Sequence, residues 1–288
     1  MIYILLSVLC SLVATVFLRV APDRNVDVRL AIAGNYLVAS LLCVVFLHAS
    51  PAPLWTTAAD ARAWLVLVAL GILLPTLFLA MAISIARVGV VRTDAAHRLS
   101  LVLALIAAFT VFGEALTATK LIGVLLGVMA VACIVVRPGP AQAVARRDWL
   151  WPVVVFAGTG LIDILFKEMA VLTAVPFEDV LLASFLLALA LSCIYVGWLF
   201  ATGRARWAWR HAAGAVLLGS FNFANILFFI EAHRQLADNP ALVFAAMNIS
   251  VIVLATGIGV WAFREQLRRV NRAGIVMAVL AVAVLARA

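Results

Sequence analysis

Charge is scarce in this chain. Only 12% of its 288 residues are Asp, Glu, Lys or Arg, roughly half the share of a soluble protein. With 67% hydrophobic residues beside it, that scarcity excludes a water-soluble domain, because one core cannot hide so much apolar surface. Cysteine is sparse too. Cys10, Cys43, Cys133 and Cys193 lie in four different apolar runs, with no CxxC and no Cys/His spacing. That pattern excludes a disulfide framework and a zinc site, and leaves small buried hydrophobes. HExxH, GxSxG, an Asp-rich diphosphate motif and a P-loop are all missing, so the corresponding hydrolases and ATP-driven pumps have no footing, and no cofactor or metal is called for. No repeated filter sequence of the kind a channel uses is seen. Long loops are missing as well: the longest breaks between apolar runs have about a dozen residues, too few for a soluble domain.

What is present is a succession of apolar runs. A spanning helix needs ~20 mostly apolar residues. Ten candidates fit: about 2–18, 30–48, 63–86, 95–112, 118–136, 150–172, 180–200, 212–232, 240–262 and 272–287. The breaks carry turn chemistry or charge, as in "APDRNVD", "AVPFED" and "HRQLADNP". The first run, "MIYILLSVLCSLVATVFLRV", has no basic leader and no small-x-small cleavage site, so it reads as a retained spanning helix. The predicted fold class is an all-α membrane protein with ten transmembrane helices.

One stretch occurs twice in outline. "VFGEALTATKLIGVLLGVMA" (Val111 to Ala130) returns as "AFREQLRRVNRAGIVMAVLA" (Ala262 to Ala281). Phe112 matches Phe263, Glu114 matches Glu265, Leu116 matches Leu267 and Gly123 matches Gly274, each pair 151 residues apart. "NYLVASLL" from Asn35 echoes "SFLLALAL" from Ser184, 149 apart. Residues 1–138 and 149–288 then form two five-helix repeats joined by a linker at 139–148. Five is odd, so two fused copies lie in the membrane with opposite orientation. That is the inverted repeat of secondary transporters, with a site near the midplane between the halves. The charges agree. Of the 21 Lys and Arg, all but Arg62, Lys120, Lys167, Arg234 and Arg287 fall at odd-numbered connections. By the positive-inside rule those connections face the cytoplasm and both termini face out.

"FGEALTATKLIGVLLGVMAVACIVV" resembles the end of an EamA domain, the five-helix unit of the drug/metabolite transporter superfamily. "FREQLRRVNRAGIVMAVLAVAVL" resembles it again, as do "NYLVASLL" and the stretch from Leu217 to Ser250. The resemblance implies a ten-helix transporter of two EamA halves in a bacterial inner membrane. It also implies cytoplasmic termini, opposite to the charge count.

Ionisable and amide side chains inside a bilayer mark functional positions. His97 and Arg98 stand at the start of predicted helix 4, where Arg98 either holds a carboxylate or phosphate of the substrate or snorkels to the interface. Asn222 and Asn225, three apart in helix 8, share a face and either line a polar cavity or bond to neighbouring helices. Asp163 and Lys167, four apart in helix 6, are placed to pair along the helix, as a substrate or proton site or as a static ion pair. Asn248 opens helix 9, where its helix N-terminus would face an anion. Asn35 and Tyr36 in helix 2 are further interior candidates. Glu114 and Glu265 stand in the first turn of the fifth span of each half and complement that helix's dipole. Gly123/Gly127 and Gly274/Ala278 are small-xxx-small pairs that let helices approach, within the chain or across a homodimer. Pro75 kinks helix 3, with Thr76 near the opened backbone.

These features predict a secondary carrier, an exporter of a small polar metabolite, acting by alternating access. The alternative is a flippase for a lipid-linked sugar or other amphipathic lipid, and a non-transporting membrane scaffold is a third reading. The expected partners are the substrate and the lipid bilayer, with no nucleic acid.

Overall fold

The apolar runs become helices, and their ends are set by local chemistry. The computed structural model describes residues 2–21, 24–50, 61–135, 146–263 and 269–287. In chain order the helices are α1 (Ile2–Val20), α2 (Val28–Leu47), α3 (Ala61–Val88), α4 (Val90–Leu99), α5 (Leu101–Thr110) and α6 (Ala118–Val135). After a 3-10 turn at Arg146–Trp149 come α7 (Leu150–Ala170), α8 (Phe177–Ala201), α9 (Trp209–Gln235), α10 (Pro240–Phe263) and α11 (Arg269–Leu285). No strand occurs among the described residues. Asp27 caps α2 by accepting from the Arg29 N–H at 3.0 Å, and His48 closes it in the left-handed region. Pro240 begins α10, where a missing N–H costs nothing. Glu178 and Asp179 lie in the first turn of α8. Pro75 lies inside α3, and the Thr76 hydroxyl donates to the Ile72 carbonyl at 2.6 Å one turn back.

One boundary departs from expectation. The predicted fourth span begins near residue 95, yet α4 begins at Val90, because "VVRTDAAHRL" is helical without being apolar. Gly89, at φ +88°, makes the turn out of α3. The Thr93 hydroxyl meets Ser84 Oγ at 2.7 Å and so finds a polar partner on α3. The helix is interrupted at Ser100 before α5 resumes.

Helices long and apolar enough to cross a bilayer include α2, α3, α8 and α9, with α7 extended back to Arg147; α1 and the α10 run are shorter apolar segments. Their outer faces are apolar: Leu5, Leu9, Leu41, Val45, Val276 and Leu280 are each about half exposed or more. Water does not tolerate a belt of that kind around a whole chain, whereas lipid does. This is an integral membrane protein. Inside, Tyr36, Phe185, Phe244 and Met169 are fully enclosed.

Small residues set the closest seams. A Cβ on Gly71 of α3 would stand 2.6 Å from Leu187 of α8, and a Cβ on Gly219 of α9 would stand 2.7 Å from Val38 of α2. Gly123 of α6 would meet Leu285 of α11 at 2.7 Å, and Gly127 would meet Ile249 at 3.2 Å. Gly274 and Ala278 are buried on α11, which packs along α6. Gly123 and Gly127 are thus approached within the chain by α11 and α10, the first of the two pairings expected for these stripes.

Candidate functional site

At one end of the bundle, a left-handed glycine redirects the chain onto a neighbouring helix. Gly113, at φ +67°, carries the chain out of α5. Glu114 then folds inward, with its own N–H on the Ala108 carbonyl at 3.1 Å. Its carboxylate accepts from the Ala241 N–H at 2.8 Å and pairs with Lys120 Nζ at 2.8 Å. Both side chains are almost completely enclosed. Glu114 thus caps α10, in the second half of the chain. The expectation that it serves its own helix is corrected: the turn at Gly113 takes it out of α6, which begins only at Ala118. Its counterpart Glu265, with Leu267 and most of the predicted 139–148 linker, lies outside the described residues.

Around Glu114 lies a second layer. Lys167, 1% exposed, donates to the Ala237 carbonyl at 3.0 Å and stands over the Phe112 ring, 5.8 Å from its centroid. Arg62 pairs with Glu168 at 3.0 Å, the Ser50 N–H donates to Asp179 at 2.7 Å, and Arg234 lies over the Phe177 ring at 4.6 Å. His233 is fully buried between Phe229 and Phe244, with neither ring nitrogen bonded. The expected ion pair of Asp163 with Lys167 is not formed. Lys167 reaches toward the helix end, while the Asp163 carboxyl takes a hydrogen bond from Asn248 of α10.

Asn248 also donates to the Phe244 carbonyl of its own helix at 3.1 Å. It does not open α10. It lies eight residues past Pro240, about 12 Å along the axis. Arg98 likewise lies eight residues past Val90, about 12 Å along α4 and two residues before the break. The causes differ: α4 begins before its apolar run, whereas α10 begins with its run at Pro240 and Asn248 lies two turns inside it. Arg98 is buried at 9% exposure and His97 is half-buried, so Arg98 is enclosed and does not lie out on the interface. Asn248 therefore offers no helix N-terminus to an anion.

The remaining amides bond between helices. Asn222 Nδ2 of α9 donates to Asn35 Oδ1 of α2 at 3.1 Å. The Ser7 hydroxyl of α1 donates to both the backbone and side-chain oxygens of Asn225 at 2.8 Å. Asn222 and Asn225 are each half-buried. Two orphan groups lie beside them: Asn35 Nδ2 and the Tyr36 hydroxyl are buried with no partner. The structure thus brings Asp163 to Asn248 and Asn35 to Asn222. It leaves Lys167 in the Glu114 layer.

At the opposite end, the Arg29 guanidinium bonds Asp27 at 2.7 and 3.0 Å and donates to the Arg204 carbonyl at 3.2 Å. His211 Nδ1 accepts from the Asp27 N–H at 3.0 Å. The guanidinium fork of Arg29 holds the Asp27 carboxyl below the ordinary carboxylate range, against the opposing effect of partial burial.

A model of the EamA-like transporter family matches residues 1–136. A Haemophilus influenzae protein described only as uncharacterized is 38% identical over 282 residues, covering 97% of this chain and 95% of its own. The chain belongs to the EamA-like transporter family. This EamA protein also superposes on a crystal structure of another protein with a TM-score of 0.67, covering 98% of this chain and 94% of that one. At 16% identity that likeness shows the fold alone.

Several of the polar groups that this EamA protein uses between helices carry little signal in the sequence. Glu168, Asp179 and Ser50 look like ordinary loop-flanking polar residues. Ser7 is a lone hydroxyl in an apolar run. Glu114 does carry a signal, the recurring Phe-x-Glu, which the structure resolves into Phe112 under Lys167, Gly113 at the turn and Glu114 on α10.

Proposed function

We propose that this EamA-family protein is a secondary transporter of a small polar metabolite, and that it works by alternating access between two mixed helix bundles. One bundle is α1, α2, α9 and α10; the other is α7, α8, α3 and α4 with α5. Exchanging the two halves of the chain converts one set into the other. The Gly71–Leu187 and Gly219–Val38 seams exchange in the same way, since 71 and 219 are 148 apart and 38 and 187 are 149 apart. This reciprocity supports ten spans in two inverted five-helix repeats.

The observation that carries the mechanism is where the bundles touch. At the Glu114 end, α5 packs on α10, Glu114 caps α10, Lys167 holds Ala237 and Arg234 covers Phe177. Toward the other end, α4 turns away: among the described residues it packs on α3, α6 and α7. We read this as a carrier closed at the Glu114 end, with Asp163 and Asn248 at the floor of the passage and Arg98 on its wall. Both Arg98 and Asn248 lie about 12 Å in from opposite helix ends, close to the middle of a ~30 Å core. The charge bias puts the open end in the cytoplasm, which suits an exporter.

A second reading has its own observation. A cleft of about 350 Å³ between α1, α10 and α11 is lined by Ile2, Ile4, Leu5, Ala246, Ser250 and Val282. An apolar side opening of this kind suits an amphipathic lipid-linked substrate. Reconstitution into proteoliposomes separates the readings. Counterflow with pools of labelled polar metabolites gives saturable exchange for a metabolite carrier, and lipid scrambling without such exchange favours the flippase. In a cysteine-free background, a reducible bis-methanethiosulfonate cross-link between Phe177→Cys and Arg234→Cys is expected to stop exchange and reduction to restore it. Full exchange with the cross-link formed would refute closure at that end.

A further inference from the structure

A basic groove at the end opposite Glu114 has no part in the transport reading. It encloses about 660 Å³ between residues 25–29 and residues 203–206, and His211 completes its wall. Arg29, Arg204 and Arg206 all line it, and Asp27 is the one carboxylate on its wall. Asp27 is engaged by Arg29 on both oxygens. The Arg204 guanidinium stands over Trp198, 4.8 Å from the ring centroid, a cation–π contact that uses none of its N–H donors. Arg206 is exposed and has no ion pair among the described residues.

The chain between α8 and α9 explains the arrangement. Residues 204–208 have no regular secondary structure, and Ala208, at φ −145° and ψ 146°, leads into α9. In "RARWAW" Arg204 and Arg206 line the groove and Trp207 does not. Trp207 and Trp209 are 68% and 74% exposed, and Trp198 is about half exposed. Indole rings collect at the level of lipid headgroups, with the ring in the acyl boundary and the N–H in the wet layer. The groove therefore opens at headgroup depth, with aromatic anchors beside it.

We propose that this groove binds the phosphate of an anionic phospholipid, with Arg204 and Arg206 as its principal contacts and Arg29 and His211 at its base. Guanidinium forks match phosphate oxygens bidentately, and the phosphate supplies the negative charge this end lacks. The same chemistry would take free inorganic phosphate. The exposed tryptophans favour the lipid, because indole rings beside the groove add contact with acyl chains that a soluble anion cannot use.

The test uses the full chain purified in a neutral detergent. Melting is followed while phosphatidylglycerol, phosphatidylcholine or inorganic phosphate is titrated, and retained lipids are counted by native mass spectrometry. Phosphatidylglycerol is expected to raise the melting temperature saturably, and phosphatidylcholine and inorganic phosphate to do so far less. Arg206→Gln removes an exposed side chain with no ion pair, so the protein folds as before. It is expected to weaken the phosphatidylglycerol response about fivefold, the effect of one basic contact near an anionic lipid surface. Arg204→Gln with Arg206→Gln is expected to lose the tightest-held phosphatidylglycerol from the mass spectrum. Unchanged phosphatidylglycerol binding in the double variant would overturn the site. An equal response to inorganic phosphate would overturn the lipid assignment, and an equal response to phosphatidylcholine would show that no headgroup charge is read.

Discussion

Removing the charge of Glu114 should open the bundle at one end. The carboxylate has two partners, Lys120 Nζ at 2.8 Å and the Ala241 N–H at 2.8 Å, and the Glu114 side chain is 1% exposed. Glu114→Gln keeps the shape and can still accept from Ala241. It leaves the Lys120 ammonium, 9% exposed, without a countercharge. Breaking a buried pair from one side costs about 3–5 kcal/mol. The charge at the α10 N-terminus accounts for at most about 2 kcal/mol of that. The larger part is the stranded ammonium, so Lys120→Met in the same chain should recover much of the loss. Reversible unfolding in detergent measures the four corners of this double-mutant cycle. Hydrogen exchange adds location: the first turn of α10 should exchange faster in Glu114→Gln, while the α2–α9 seam stays protected. A loss under about 1 kcal/mol would refute the reasoning. So would a double variant no better than Glu114→Gln alone.

Gly219→Ala should lower stability by about 1–3 kcal/mol, because its Cβ would stand 2.7 Å from Val38 and 2.9 Å from the Asn35 carbonyl. Gly197→Ala, where nothing lies within 4 Å, is the matched control and should be neutral or mildly stabilising in the same melting assay. Asp27 has its folded pKa depressed by Arg29, so its contribution is complete above the ordinary carboxylate range and fades as pH falls through the lower folded value. The difference in melting temperature between wild type and Asp27→Asn should therefore shrink below about pH 4 and stay constant above about pH 5. Arg98→Lys should impair exchange of an anionic substrate while leaving membrane abundance unchanged, because lysine keeps the charge and loses the fork. Exchange equal to wild type, normalised to abundance, would remove Arg98 from the passage.

The sequence by itself determined the membrane setting, the helices and the EamA membership. Those follow from local properties: apolar runs of spanning length, turn residues between them and a motif that recurs at a constant interval. The pairing of Asn35 with Asn222 rests on residues 187 apart. Nothing in one helix states which neighbour its amide will meet. Asp163 shows the limit most plainly. Spacing along α7 offers it Lys167 four residues on, yet packing gives it Asn248 of α10 and sends Lys167 to Ala237. A flexible lysine near a helix end finds a carbonyl there, while a short aspartate must take the partner at its own depth. The start of α4 at Val90 carries no apolar signal, because polar residues continue the helix beyond its apolar stretch. Glu114 was visible as a recurring residue, but its role was not, because the carboxylate it offers serves a helix that begins 126 residues later, at Pro240. Local patterning dictates which segments are helical; only the packed bundle decides which polar side chains share a space, because that depends on contacts between segments far apart in the chain.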